Sequence, residues 1–139
     1  MKATILKISF LAAAVFAMAS CGSASPYTPS SGNNVPAGTR SFLVTPAADF
    51  SYWDINGGSN PTLTFQRGQT YTFTVNAPGH PFYIMTVMGS TDTINAYTNG
   101  VSGAGSTTVT FTVPQTAPST LFYDCTVHSA MTGTINITD

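Results

Sequence analysis

The chain has 139 residues, of which 42% are hydrophobic and only 6% are charged. This length allows one domain with a core of its own, preceded by a short extra segment. The formal net charge is -1, and without Lys2 and Lys7 the remaining two Arg and five Asp give 2 - 5 = -3. Because a basic face that could neutralise phosphates is missing, nucleic-acid binding is excluded as a function.

The first segment has the pattern of an export signal. Lys2 and Lys7 are followed by an apolar run over residues 8–19 that is too short to span a bilayer. The tetrapeptide MASC at residues 18–21 resembles a bacterial lipobox, in which the cysteine becomes the lipidated first residue of the mature protein. We therefore expect a signal peptide over residues 1–20, a lipid anchor at Cys21, and a periplasm-facing location at the cell envelope. The alternative is an ordinary signal peptide cut near Cys21.

Residues 21–39 are rich in Ser, Pro, Gly and Asn, which predicts a tether between the anchor and a folded domain at residues 40–139. If Cys21 carries lipid, the second cysteine, Cys125, has no partner for a disulfide. Cys125 must then be a buried inert thiol, a reactive thiol or a metal ligand.

The sequence of the domain predicts short strands separated by turns that contain Gly, Pro and Asn. Tyr71, Phe73 and Val75 alternate with threonines, and Val109 and Phe111 do the same, as is typical of half-buried antiparallel strands. The fold class predicted is therefore an all-β sandwich of about eight strands, with residues 88–105 as a long surface excursion. The expected strands lie at residues 41–44, 51–55, 62–65, 70–75, 82–87, 107–113, 121–125 and 134–138.

Residues 122–133 read FYDCTVHSAMTG and place a cysteine, a histidine and a methionine three residues apart. Strand parity predicts that Cys125 points inward at the end of its strand, with Asp124 on the opposite face. His128 and Met131 follow on a tight loop, which can gather ligands around one point. The second histidine, His80, begins another strand after a Pro-Gly turn, so only the tertiary fold could bring it to Cys125.

Two imidazoles, one thiolate and one thioether form the ligand set of a blue-copper site. Each residue alone would be ascribed to packing, but together they predict one type 1 copper ion held by His80, Cys125, His128 and Met131. The motif C-x2-H-x2-M, with an upstream histidine, resembles the cupredoxins of the plastocyanin, amicyanin and pseudoazurin group. The resemblance implies a Greek-key β-sandwich.

The sequence departs from that group at two positions. Pro81 follows His80 where many members have an Asn, whose amide hydrogen-bonds the ligand loop. Asp124 precedes Cys125 where plastocyanins have an aromatic residue. The sequence therefore does not indicate which residue hydrogen-bonds the loop of His128 and Met131, or which residues contact a partner.

The leading functional hypothesis is single-electron transfer by a monomer that exchanges electrons with redox protein partners. By resemblance, electrons would pass through the edge of His128 and an apolar patch including Pro81 and Ala130, with Phe82 as a further candidate that also suits the core. The alternative is a periplasmic copper-sequestering or copper-delivery protein, with Met85 and Met88 as extra soft ligands. A copper enzyme is disfavoured, because both histidines of the chain are already committed.

Overall fold

A computed structural model describes residues 35–36 and 38–139. The expected signal peptide, the lipidation site Cys21 and most of the predicted tether lie outside the described residues. Within the described part of the chain, no helix has the length and apolar character needed to cross a membrane.

The described residues form an all-β domain, as predicted. Its only helical element there is one 3-10 turn at Thr93–Asn95. The ten strands are β1 (Ser41–Pro46), β2 (Trp53–Ile55), β3 (Gly58–Ser59), β4 (Leu63–Gln66), β5 (Thr70–Val75), β6 (Phe82–Met85), β7 (Val101–Ser102), β8 (Thr108–Thr112), β9 (Thr120–Cys125) and β10 (Thr132–Thr138). Each of the eight predicted strands is present, with ends that differ by at most two residues. The two-residue strands β3 and β7 were not predicted.

The strands pack as two sheets. One sheet has the order β3-β2-β1-β5-β8-β7 and the other the order β4-β10-β9-β6. Strands β5 and β8 pair antiparallel, as their alternation indicated, whereas β1 with β5 and β4 with β10 pair parallel. Consecutive strands repeatedly change sheet, as the expected Greek-key β-sandwich requires.

The core lies between the sheets and is strongly aromatic. In β5 the side chains of Tyr71, Phe73 and Val75 are buried while the intervening threonines face outward. Phe73 packs against Phe82 of the other sheet, with ring centroids 4.9 Å apart. Burial of these large side chains is the main contribution that holds the two sheets together.

One end of the sandwich brings the predicted ligands together. Strands β6 and β9 are neighbours, and Phe82 at the start of β6 pairs with Cys125 at the end of β9. His80 lies two residues before Phe82, and the loop 126–131 leaves β9 at the same end. Antiparallel pairing therefore places residues far apart in sequence at one pole of the domain.

Candidate metal centre

Cys125 ends β9 on the inner face of its sheet. Leu121, Tyr123 and Cys125 are all buried, as parity predicted, and Cys125 is a free cysteine. The backbone N–H of Val127 donates to its Sγ at 3.4 Å. Such an N–H is a typical partner of a cysteine sulfur that binds a metal, because it holds the sulfur in one orientation.

His80 is positioned by the turn before β6. The N–H of His80 donates to the carbonyl of Ala77 at 3.0 Å, and Gly79 takes a positive φ of 79° that closes the turn. Glycine suits this position because it has no Cβ to clash in the left-handed region. The turn delivers a largely buried imidazole, 9% exposed, to the pole where β9 ends.

The structure places His80, Cys125 and His128 in one cluster, in which one ligand atom from each residue lies within 4.8 Å of the others. The two Nδ1 atoms of His80 and His128 are 3.1 Å apart, and Sγ of Cys125 is 3.9 Å from Nδ1 of His80. Three soft or borderline donors thus converge on one point, without a carboxylate among them.

These separations fit a shared metal ion. Two nitrogens each about 2.0 Å from one ion, across an angle of about 100° to 120°, are about 3.1 to 3.5 Å apart. A sulfur at about 2.3 Å and a nitrogen at about 2.0 Å, across about 120° to 130°, are about 3.7 to 3.9 Å apart. The two separations that involve His80 therefore match those of a transition-metal site, and all three donor atoms lie within 4.8 Å of one another.

Met131 is the last residue of the loop 126–131, which we call the ligand loop, and it is fully buried. Its N–H donates to the carbonyl of His128 at 3.1 Å, and its own carbonyl accepts from the N–H of Cys125 at 3.0 Å. These two bonds tie Met131 to both neighbours in the motif. All four predicted ligands therefore belong to one pole of the domain.

The loop is braced from two other segments. The carbonyl of Pro81 accepts from the N–H of Thr126 at 3.3 Å, and Nδ2 of Asn60 donates to the carbonyl of Ala130 at 3.0 Å. Pro81 has neither a side-chain amide nor an N–H to offer. Asn60, which follows β3, supplies an amide to the ligand loop instead, and sequence analysis did not single it out.

Phe50 is the second residue that sequence analysis missed. Its ring stacks on His80 with centroids 4.3 Å apart and on His128 with centroids 5.5 Å apart. Phe82, by contrast, is fully buried among core aromatics, so its candidacy for the exposed patch was wrong. The aromatic ring that contacts the two histidines from outside is Phe50, which is 41% exposed.

Asp124 lies on the face of β9 opposite Cys125, as parity predicted, yet it is fully buried. The segment that follows β6 covers it, and the N–H of Gly89 donates to its Oδ1 at 2.9 Å. Burial raises the pKa of the Asp124 carboxyl, and hydrogen bonds from Thr132 and from the backbone of Gly89 and Ser90 oppose that rise. Asp124 is therefore a buried anchor for a neighbouring loop and not an exposed contact for a partner.

Comparison with known proteins shows the fold. No family model and no curated protein matches the sequence. Among solved structures, a variant of rusticyanin matches with a TM-score of 0.57 and 23% identity, covering 78% of this chain and 84% of that chain. Rusticyanin from Thiobacillus ferrooxidans matches with a TM-score of 0.54 and 22% identity, covering 78% and 84%. Rusticyanin is itself described as a copper protein. At these identities the similarity establishes a cupredoxin-like β-sandwich.

Proposed function

We propose that the protein is a type 1 copper protein that transfers single electrons. The observation that carries this proposal is the convergence of His80, Cys125 and His128 within 4.8 Å at the pole where Met131 is buried. The cupredoxin-like fold supports it, because it is shared with a protein described as a copper protein.

Each ligand has a distinct chemical role in this proposal. Cys125 would supply a thiolate, His80 and His128 would supply two imidazole nitrogens, and Met131 would supply a weak thioether ligand that tunes the potential. Bound copper would supply one-electron chemistry, and the residues would hold it in both oxidation states. The braces from Asn60 and Pro81 keep the loop in one conformation for both charge states, which lowers the reorganisation that electron transfer requires.

Electrons would enter and leave at the surface around His128, which is only partly buried. Val127, 55% exposed, Ala130 and Phe50 are uncharged side chains at this pole. Few charged residues lie in the domain, so docking of a redox protein partner would rely on apolar contact and depend weakly on salt. The proposed carrier acts as a monomer at the cell envelope, on the periplasmic side, tethered through residues 21–39 and a lipid on Cys21.

The alternative role, copper sequestration or delivery, gains little support from Met85 and Met88, the two methionines that could act as extra soft ligands. Met85 is fully buried in β6, where it pairs across to Phe122, so packing accounts for it. Met88 is 53% exposed. An electron carrier and a copper store differ in one measurable property, which is a reversible redox couple at the bound metal.

The decisive experiment is a copper titration of the purified protein and of Cys125→Ser, followed by visible spectroscopy and voltammetry. We expect one equivalent of Cu(II) to give an intense visible thiolate-to-copper charge-transfer band, together with a reversible couple. Cys125→Ser should lose the band. A wild-type protein without the band would overturn the copper site, and a band without a reversible couple would favour storage.

A further inference from the structure

Phe50 has a backbone conformation that is unusual for its side chain. It lies in the turn between β1 and β2 with φ = 56°. In the described part of the chain, two other non-glycine residues have positive φ, and both are asparagines, Asn56 and Asn60. Asparagine tolerates the left-handed region, whereas a bulky aromatic residue is disfavoured there. A strained residue of this kind is kept only when its surroundings hold it.

Hydrogen bonds within the turn hold the backbone of Phe50 in this conformation. The N–H of Phe50 donates to the carbonyl of Ala47 at 3.0 Å, and the N–H of Ala47 donates to the carbonyl of Tyr52 at 3.0 Å. Asp49 Oδ1 accepts from the hydroxyl of Ser51 at 2.6 Å and from its N–H at 3.1 Å. These bonds on both sides of Phe50 fix where its side chain points.

The side chain points at the two histidines. The Phe50 ring is inclined by 23° to the imidazole of His80 and by 18° to that of His128, so it lies nearly parallel to both. The ring remains 41% exposed, whereas His80 is 9% exposed. Core burial therefore does not explain the position of Phe50, because its outer surface still faces solvent while its inner surface covers the imidazoles.

We propose that Phe50 is an aromatic cover that holds the imidazoles of His80 and His128 with their Nδ1 atoms converging, and that restricts access of water and small anions to them. Its role as a cover of a metal rests on the proposed copper site, but its contact with the imidazoles does not. The strained backbone is retained because a conformation with negative φ would direct the ring away from the histidines. Phe50 is thus a positioning residue and not a ligand.

The first test uses the metal-free protein, so it does not depend on copper. Diethyl pyrocarbonate modifies accessible imidazoles, and the chain contains only two histidines, which makes the reaction easy to follow by ultraviolet absorbance. At one fixed pH we expect Phe50→Ala to react at least fivefold faster than wild type and Phe50→Tyr to react at the wild-type rate. Leu43→Ala is the matched control, because Leu43 is a similarly exposed apolar side chain, 52%, on β1. Equal rates for wild type and Phe50→Ala would overturn the cover.

The second test uses the Cu(II)-loaded protein and azide, a small anion whose binding adds a charge-transfer band of its own. We expect at least tenfold tighter azide binding in Phe50→Ala than in wild type, with Phe50→Tyr restoring the wild-type affinity. If the wild type fails to bind copper, the proposed function is wrong. The reaction rates of the metal-free proteins then still show whether Phe50 covers the imidazoles. If copper binds and neither azide affinity nor reaction rate responds to Phe50→Ala, the cover is wrong and the proposed function stands.

Phe50→Gly tests the strain. Glycine adopts positive φ freely, so this variant removes the ring and also relieves the backbone, whereas Phe50→Ala removes the ring alone. We expect the metal-free Phe50→Gly protein to melt at a higher temperature than Phe50→Ala while its imidazoles react equally fast. A lower melting temperature for Phe50→Gly would show that the backbone strain at this position is smaller than the cost of the extra unfolded-state entropy that glycine brings.

Discussion

Gly133 shows how a single residue governs packing next to the site. It pairs with Tyr123 across β9 and β10, and a Cβ added at Gly133 would overlap the hydroxyl and ring of Tyr123. The Tyr123 hydroxyl donates to the carbonyl of Pro61 at 2.6 Å, and burial raises the pKa of this phenol. The ring is therefore held over the glycine by a buried hydrogen bond.

We expect Gly133→Ala to lower the free energy of unfolding by about 1 to 3 kcal/mol, as overpacking a close contact commonly does. Tyr123→Phe should cost about 1 to 2 kcal/mol, because it leaves the Pro61 carbonyl without its donor. In the double variant the ring is free to shift, so the two costs should sum to more than the measured loss. Urea unfolding of the metal-free proteins measures all three values. Strictly additive losses would show that the hydrogen bond does not hold the ring in place.

At the scale of elements, strands in which apolar and polar residues alternate were predictable from the sequence. Strands too short to show this alternation were not. Tyr71, Phe73 and Val75 alternate with threonines over six residues of β5, long enough to reveal a period of two. Strands β3 and β7 have two residues each and show no period at all. The burial of Asp124 was equally hidden, because the segment that covers it is brought there by the tertiary fold.

The turn after β3 supplies a brace for the ligand loop. Asn60 accepts from the N–H of Trp53 through Oδ1 at 2.8 Å and donates to the carbonyl of Ala130 through Nδ2 at 3.0 Å. Asn60→Asp keeps an acceptor for Trp53 but has no donor for Ala130. Asn60→Gly removes both bonds and still accommodates the positive φ of 42°.

We expect the amides of Cys125 and Met131 to exchange with solvent faster in Asn60→Asp than in wild type, by about fivefold, which corresponds to a hydrogen bond worth about 1 kcal/mol. Asn60→Gly should show at least the same acceleration. Hydrogen exchange followed by NMR on the metal-free proteins resolves these amides. Protection that is unchanged in Asn60→Asp but lost in Asn60→Gly would assign the effect to Trp53 and not to the ligand loop.

The candidate site was predictable only as far as it is local. Cys125 ends β9 and His128 and Met131 lie on the loop that follows it, so their spacing alone suggested a shared metal ion. His80 was added because strands of a sandwich end at common poles, and the pairing of Phe82 with Cys125 shows how this happens. Phe50 gave no signal, because an aromatic residue in a turn has no periodicity and its contacts with the histidines arise only between distant segments.

On the scale of the whole molecule, the site joins the two sheets. Phe50 belongs to a turn of the β3-β2-β1-β5-β8-β7 sheet, whereas the predicted ligands flank β6, β9 and β10 of the other sheet. Global unfolding separates these segments and disperses the donors. A metal bound by the predicted ligands would therefore bind the native state and not the unfolded chain, so binding and folding would be coupled.

Copper should consequently stabilise the entire domain. At a free copper concentration about 100-fold above the dissociation constant, the native state gains about 2.7 kcal/mol. For a domain of roughly 100 residues, each 1 kcal/mol shifts the melting temperature by about 4 to 8 °C, so we expect a rise of about 10 to 20 °C. Calorimetry of the wild type with and without copper measures the shift, and Cys125→Ser should lose most of it, because the strongest donor is gone. An equal shift in Cys125→Ser would mean that Cys125 does not contribute to the binding of copper, which would overturn its role as a ligand in the cluster with His80 and His128.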